Sequence, residues 1–351
     1  MRIAFIANNR SPRLFRRNPS FVYRCENVAA WLAEQGHQVT LCHLRHAPDP
    51  RELDAAVFHR PRASLVLRWV LWRYRQQGVA TLVDFDDLVF DETRVRHSPA
   101  IRNRVLPLPI QWRLFRLHRR AMGWFDRVTV STAPLADAVR QLYPGKSVTV
   151  LANAVHWSWR QDPGLLPRPR THPRVIAYMP GTRSHDGDFA GVAPDLGRFL
   201  RDHPDTLLKI TGPLNFTLDA SPSQVVHEER VDFREYPRRF AGVWVNLAPL
   251  EASPFNACKS GLKAMEAGFM GVPTLYSNNP DMDRFQTAGA VPVADGDWYD
   301  ALVRLRDPAI HEALTTGLRE RVLTLADVAD HGEGLLALLT GTPAGGHTWG
   351  P

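Results

Sequence analysis

Cysteine is scarce in this chain: Cys25, Cys42 and Cys258 are three in 351 residues, odd in number and far apart. That spacing excludes a disulfide framework and fits a reducing compartment. No apolar run reaches bilayer-spanning length. The opening Met1-Arg2-Ile3-Ala4-Phe5-Ile6-Ala7 is too short to be a secretory signal. The expectation is a cytoplasmic protein. Recognition-helix, zinc and RNA-binding signatures are missing, so nucleic acid is not an expected partner. No G-x-G-x-x-G follows an opening strand, which argues against a nicotinamide-dependent oxidoreductase. His37, His43, His46, His59 and His97 are scattered without metal-ligand spacing. Lysine is also rare: Lys146, Lys209, Lys259 and Lys263 are four against a background of arginine.

What is present supports a full core, since 44% of residues are hydrophobic. The net charge of +7 is concentrated in the first half, at Arg10, Arg13, Arg16, Arg17 and then Arg113, Arg116, Arg119 and Arg120. Buried runs at residues 2–7, 38–43, 55–59, 80–85, 127–131 and 147–151 read as strands. Helices read over 23–35, 69–77, 111–123 and 134–142. Strands alternating with helices predict a parallel, doubly wound sheet. Residues 161–173 then hold four prolines in thirteen positions and read as a linker. The alternation restarts with strands at 175–179, 206–211, 224–227, 243–247 and 274–277. A helix from about 189 to 202 and C-terminal helices go with them. The fold class is therefore α/β, with one domain over 1–160, a second over 174–340 and a loose tail at 341–351. Two such domains offer a cleft for a ligand.

The most informative stretch is Pro254-Phe255-Asn256-Ala257-Cys258-Lys259-Ser260-Gly261-Leu262-Lys263-Ala264-Met265-Glu266. Apolar spacing predicts a helix over 257–270, with Lys259 and Lys263 in its first turns. A helix start attracts anions, lysine suits phosphate, and Glu266 can accept from sugar or ribose hydroxyls. A solvated Lys263–Glu266 pair is the plain alternative. Its place after a buried strand favours a site, because open α/β sheets bind ligands at strand carboxyl ends. Glu251 ends that strand and either points at the ligand or satisfies loop amides.

Other loops follow strands in the same way. In Gly181-Thr182-Arg183-Ser184-His185-Asp186-Gly187-Asp188, Arg183 can fork onto a phosphate, or the segment is an ordinary turn with Ser184 or Asp186 as cap. Asp84-Phe85-Asp86-Asp87 can hold a metal, bind hydroxyls or act as base, or cap. Strand alternation sets Asp84 and Asp86 on one face and Asp87 on the other. Asn8 and Asn9 follow the first strand, and Arg24 lies just inside the next helix. Residues 106–125 interleave Arg113, Arg116, Arg119 and Arg120 with Trp112, Phe115 and Trp124. They read either as a helix on an anionic membrane surface or as a solvated basic face covering core.

Taken together, these motifs resemble a bacterial GT-B glycosyltransferase of the family 4-like kind found in O-antigen and capsule assembly. The resemblance implies two Rossmann-like domains facing across a cleft. The first would hold a glycan or lipid-linked acceptor at Asn8, Asn9 and Arg24. The second would hold a nucleotide-sugar donor at Gly181, Thr182, His185, Asp188, Glu251, Asn256, Ser260, Lys263 and Glu266. Asp86, Asp87, Arg183 and Lys259 would form the catalytic set. Sugar transfer with retention is implied, with no metal and no cofactor beyond the donor. Two departures stand out. The pattern's first glutamate is Cys258 here, and the lysine expected after Arg183 is replaced by Asp188. Both leave the donor sugar open, including acidic and furanose sugars. A sugar-nucleotide epimerase and a non-catalytic subunit of a membrane polysaccharide assembly remain alternatives.

Overall fold

In a computed structural model, residues 1–9, 11–167, 173–181 and 185–341 are described. The six buried runs of the first half pair into one parallel sheet. They are β1 (Arg2–Ala7), β2 (Gln38–His43), β3 (Ala55–His59), β4 (Ala80–Phe85), β5 (Arg127–Val130) and β6 (Ser147–Val150), ordered β2-β1-β3-β4-β5-β6. Ile3 lies opposite both Val39 and Ala55, and Val57 opposite Leu82. β1 and β3 are buried almost throughout, as strands of a parallel sheet covered on both faces must be. The strand order reverses between β1 and β3.

The second sheet is also parallel: β7 (Arg174–Tyr178), β8 (Thr206–Thr211), β9 (Val225–Glu228), β10 (Val245–Ala248), β11 (Thr274–Tyr276) and β12 (Ala290–Pro292). Its order is β12-β11-β10-β7-β8-β9, with the reversal between β7 and β10. The doubly wound expectation therefore holds for both sheets. β12 was not anticipated, being three residues long and ending on Pro292.

The chain divides into two compact units. The first takes Met1–Val95, Leu108–Ser158 and the chain from Asp327 onward; the second takes Arg96–Pro107 and Trp159–Ala326. This differs from a single boundary near residue 160 in two places. The helix Val328–Thr340 sends Val328, Leu335 and Leu339 into the first unit's core, among Phe21, Val28 and Leu32. Gly332 lies so close to the Trp31 ring that a Cβ there would come within 2.1 Å of a ring carbon. The segment Arg96–Pro107 joins the second unit, where Arg102 pairs with Glu251. Residues 168–172 of the proline-rich linker and the tail from 342 lie outside the described residues.

Two expected helices are corrected. The one over 23–35 begins earlier, at Pro19–Phe21, where the Asn18 side chain accepts from the Ser20 amide. It passes through a π-helical turn at Val22–Glu26 into Asn27–Glu34. The helix over 257–270 is broken in two. A 3₁₀ turn covers Asn256–Cys258, Lys259 is extended, and the α-helix runs only from Leu262 to Phe269. Tertiary contacts override the helical pattern there. Asp281 accepts from the Gly261 amide at 2.5 Å, and Asn279 donates to the carbonyls of Asn256 and Lys259.

Candidate active site

In the second unit the strand reversal brings the ends of β7 and β10 side by side. The helix Asp186–Asp202 follows β7; a loop from Glu251 to Gly261 follows β10 and leads into the helix Leu262–Phe269, with Lys263 in its first turn. Asp188 is 4% exposed and ties the two together. One of its oxygens accepts from the Glu251 amide at 2.8 Å and from the Asn256 side chain at 3.3 Å. The other accepts from His185 Nδ1 at 2.8 Å and lies 3.9 Å from Lys259 Nζ. Burial resists ionisation of Asp188, but the His185 hydrogen bond and Lys259 hold its carboxyl down at about 2. Burial and the two lysines drop His185 to about 3, so its ring is neutral and Nε2 is left as an acceptor.

Lys263 is the cation with least compensation in this group. Its ammonium is buried, has no hydrogen-bond partner among the described residues, and rests 4.6 Å from the centre of the Tyr178 ring. Burial lowers its pKa to about 8, with Lys259 adding to the fall and Asp188 and Glu266 opposing it. Glu251 lies against the first turn of the helix, where a Cβ on Gly187 would meet its carboxylate at 2.7 Å. The helix N-terminus favours the negative charge there. Glu266 is 7% exposed and accepts from the Tyr236 hydroxyl at 2.9 Å. Ser260 follows Lys259 in the loop, and Gly181 is exposed beyond β7. Thr182 and Arg183 lie outside the described residues.

In the first unit the expected residues separate. Arg24 does not reach a surface. Its side chain is 0% exposed, forks onto Asp84 at 2.6 and 3.1 Å, and donates to the Leu151 carbonyl and to Asn153. Burial opposes ionisation of Asp84, yet Arg24 and His59 hold its carboxyl well below the usual carboxylate range. An acceptor role for Arg24 is therefore replaced by a structural one. Strand alternation does not reach Asp86 and Asp87, because β4 ends at Phe85, and Arg60 bonds both. Burial resists ionisation of Asp86, but Arg60, His59 and the Ser20 hydroxyl keep it lowered. A carboxylate so held orients groups better than it takes a proton. Among the described residues no group of three or more His, Cys, Asp or Glu could hold a metal ion.

Asn8 and Asn9 do line a cavity of about 210 Å³, at the carboxyl edge where β1 meets β3. Its walls include His59, the last residue of β3, with Arg60 and Arg62 beyond it. Arg60 holds a positive φ of 42°, a backbone state that costs energy for a residue with a side chain. The sequence reading missed Arg60, Arg62, Gln111 and His118. The first two follow a strand's carboxyl end and were open to the rule that singled out Asn8 and Asp84.

The basic stretch forms the helix Leu108–Met122, burying Phe115, His118 and Met122 and exposing Ile110 and Trp112. The helix Leu65–Gln76 likewise exposes Leu65, Val66, Trp69 and Trp72. Arginines lie over two of these rings, Arg73 over Trp69 and Arg116 over Trp112. Among the described residues no helix is long and apolar enough to cross a membrane.

No family model matches the chain, and no curated protein matches it in sequence. Solved structures do match. A sucrose-phosphate synthase from Thermosynechococcus elongatus is 14% identical with a TM-score of 0.65, over 97% of this chain and 99% of that one. WaaG, a glycosyltransferase involved in lipopolysaccharide biosynthesis, is 13% identical with a TM-score of 0.60, over 97% and 100%. An alpha-glucosyltransferase in complex with UDP-glucose and DNA is 12% identical with a TM-score of 0.61, over 97% and 99%. The fold is the one these GT-B glycosyltransferases share.

Proposed function

We propose that this chain is a glycosyltransferase that moves a sugar from a nucleotide donor to a surface-polysaccharide or lipid-linked acceptor. The observation that carries the reading is the buried Lys263 ammonium beside Lys259 at the β7/β10 reversal, with Asp188 held between Lys259 and His185. Asp188 and Glu266 both act on Lys263, yet neither hydrogen-bonds its ammonium, which stays available to a ligand oxygen. A nucleotide diphosphate supplies it. As the bond from the sugar's anomeric carbon to the phosphate breaks, charge builds on the leaving oxygen, and the lysines stabilise it. The acceptor hydroxyl forms the new glycosidic bond and gives its proton to the departing diphosphate oxygen. Arg183 belongs to the proposed donor contacts as well, as do Thr182 and Ser260. Retention of anomeric configuration and independence from metal are part of the proposal.

The UDP-glucose bound by one structural neighbour supports a nucleotide donor. The role of another in lipopolysaccharide biosynthesis supports a cell-surface acceptor. The exposed Trp69, Trp72 and Trp112 with their arginines support a peripheral position on the anionic inner face of a membrane. Co-sedimentation with phosphatidylglycerol vesicles but not with phosphatidylcholine vesicles checks that position. Equal binding to both, or to neither, rejects it.

The functional test is a thermal-shift screen of UDP-, GDP- and CMP-sugars. A ligand at a hundred times its dissociation constant adds about 2.7 kcal/mol. At least one nucleotide class is expected to raise the melting temperature, and Lys263→Ala to abolish the rise. If none of the three classes shifts the transition, the donor site is wrong.

A further inference from the structure

The cavity at the β1/β3 edge holds polar atoms that the protein does not satisfy. Asn9 Oδ1, Gln111 Oε1 and Arg62 Nε are all buried and have no hydrogen-bond partner among the described residues. All three residues line this one space. Buried polar atoms left unpaired are rare, and three around a single cavity call for an explanation. His118 also lines the cavity. Its Nδ1 lies 2.9 Å from the Pro61 carbonyl, which only accepts, so Nδ1 donates. Burial and Arg62 drop this ring to about 3, so it is neutral and its other nitrogen is an acceptor.

Charge in the cavity is similarly unbalanced. Arg60 is spent on Asp86 and Asp87. Arg62 makes no ion pair among the described residues, and desolvation lowers its pKa. Its guanidinium keeps its charge regardless and can receive an anion. The amides of Asn9 and Gln111 need groups that donate as well as accept, which hydroxyls do in either amide orientation. Phe21 and Phe115 supply apolar wall. The volume of about 210 Å³ is below that of drug-sized pockets and suits one ring rather than a chain of them.

We infer that this cavity is a subsite for a carboxylate-bearing sugar, one acidic residue of the acceptor glycan. The assignment rests on the transferase reading above for the word acceptor, and on the cavity alone for the chemistry. Arg62 takes the carboxylate, Asn9, Gln111 and His118 take hydroxyls, and the aromatic wall takes the sugar's C–H face. A neutral sugar leaves Arg62 unanswered. A bare anion leaves the Asn9 and Gln111 acceptors unanswered.

The experiment measures binding of D-glucuronate, D-glucose and inorganic phosphate to the full chain, by saturation-transfer NMR and titration at millimolar concentration. Glucuronate is expected to bind about 10- to 100-fold tighter than glucose, the range for a hydrogen bond to a charged group. Arg62→Gln removes that preference and leaves glucose binding unchanged. Circular dichroism checks the folding of each variant. If Arg62→Gln does not fold, Gln111→Ala takes its place and weakens both sugars alike. Equal affinity for glucose and glucuronate overturns the inference, as does phosphate binding as tightly as glucuronate. If nucleotide sugars stabilise the protein and no sugar acid binds, the inference falls and the transferase reading stands. If glucuronate binds through Arg62 and no nucleotide binds, the transferase reading falls and the subsite stands.

Discussion

Around the carboxyl edge of the first sheet Asp84, Asp86 and Asp87 face Arg24 and Arg60, and every one of these charges is paired. Around the corresponding edge of the second sheet Asp188 faces both Lys259 and Lys263, and one ammonium has no hydrogen-bond partner among the described residues. Both arrangements are buried, so burial does not tell them apart. Completeness does. Taking a charge out of water is costly unless partners replace the water. A closed set of partners has met that cost for the fold's own sake. An open set leaves a charge for which the fold itself supplies no full complement. Arg62 is the exception in the first unit, and its openness is what separates it from Arg24, although the two belong to the same unit.

The largest effect is expected where the set is closed. Arg24→Met leaves Asp84 buried without its counter-ion, which costs about 3–5 kcal/mol of stability. The sign of the pH dependence should invert as well. In the unsubstituted protein the folded carboxyl sits below its unfolded value near 4. Its stabilisation is present above that pH and lost as pH falls. In Arg24→Met the buried carboxyl rises instead, so the variant's deficit shrinks between about pH 7 and pH 4. Urea melts across that range measure both. An unchanged midpoint would mean that Arg24 is not the pillar it looks.

In the open set the expected loss is catalytic. Lys259→Ala should lower turnover by about 10²–10³, the range for removing one contact to developing charge, with the melting temperature of the unliganded protein kept. Unchanged turnover rejects the assignment. The same edge carries a gentler signature. Lys263 is charged below about 8. Diphosphate affinity should therefore weaken above that pH, by up to about tenfold per pH unit. Titrations at pH 7, 8 and 9 read it, and a flat profile would remove Lys263 from the site.

Much of the scaffold was legible because parallel strands covered on both faces read as apolar runs. That is why β1, β3 and β4 could be placed from their residues. β12 escaped because three residues at a sheet edge, closing on Pro292, carry almost no pattern. The cluster of His185, Asp188, Glu251, Asn256 and Lys259 followed from the rule about strand ends, a local signal. The break before Leu262 did not. It depends on Asp281 and Asn279, some twenty residues further along the chain, and nothing in the helical periodicity reports them. Arg24 failed for the same reason. Whether an arginine at a helix start is a ligand's partner or a core pillar is decided by Asp84 and Asn153, 60 and 129 positions away.

The return of Val328–Thr340 to the first unit sets an order of events during synthesis. Residues 159–326 leave the ribosome before the last piece of the first unit's core exists. Until Gly332 slides over the indole of Trp31, the flank formed by Val28 and Leu32 stays uncovered. The half that is made first is thus the half that finishes last. A nascent chain stalled short of residue 327 presents chaperones with a bare apolar flank on an otherwise formed sheet.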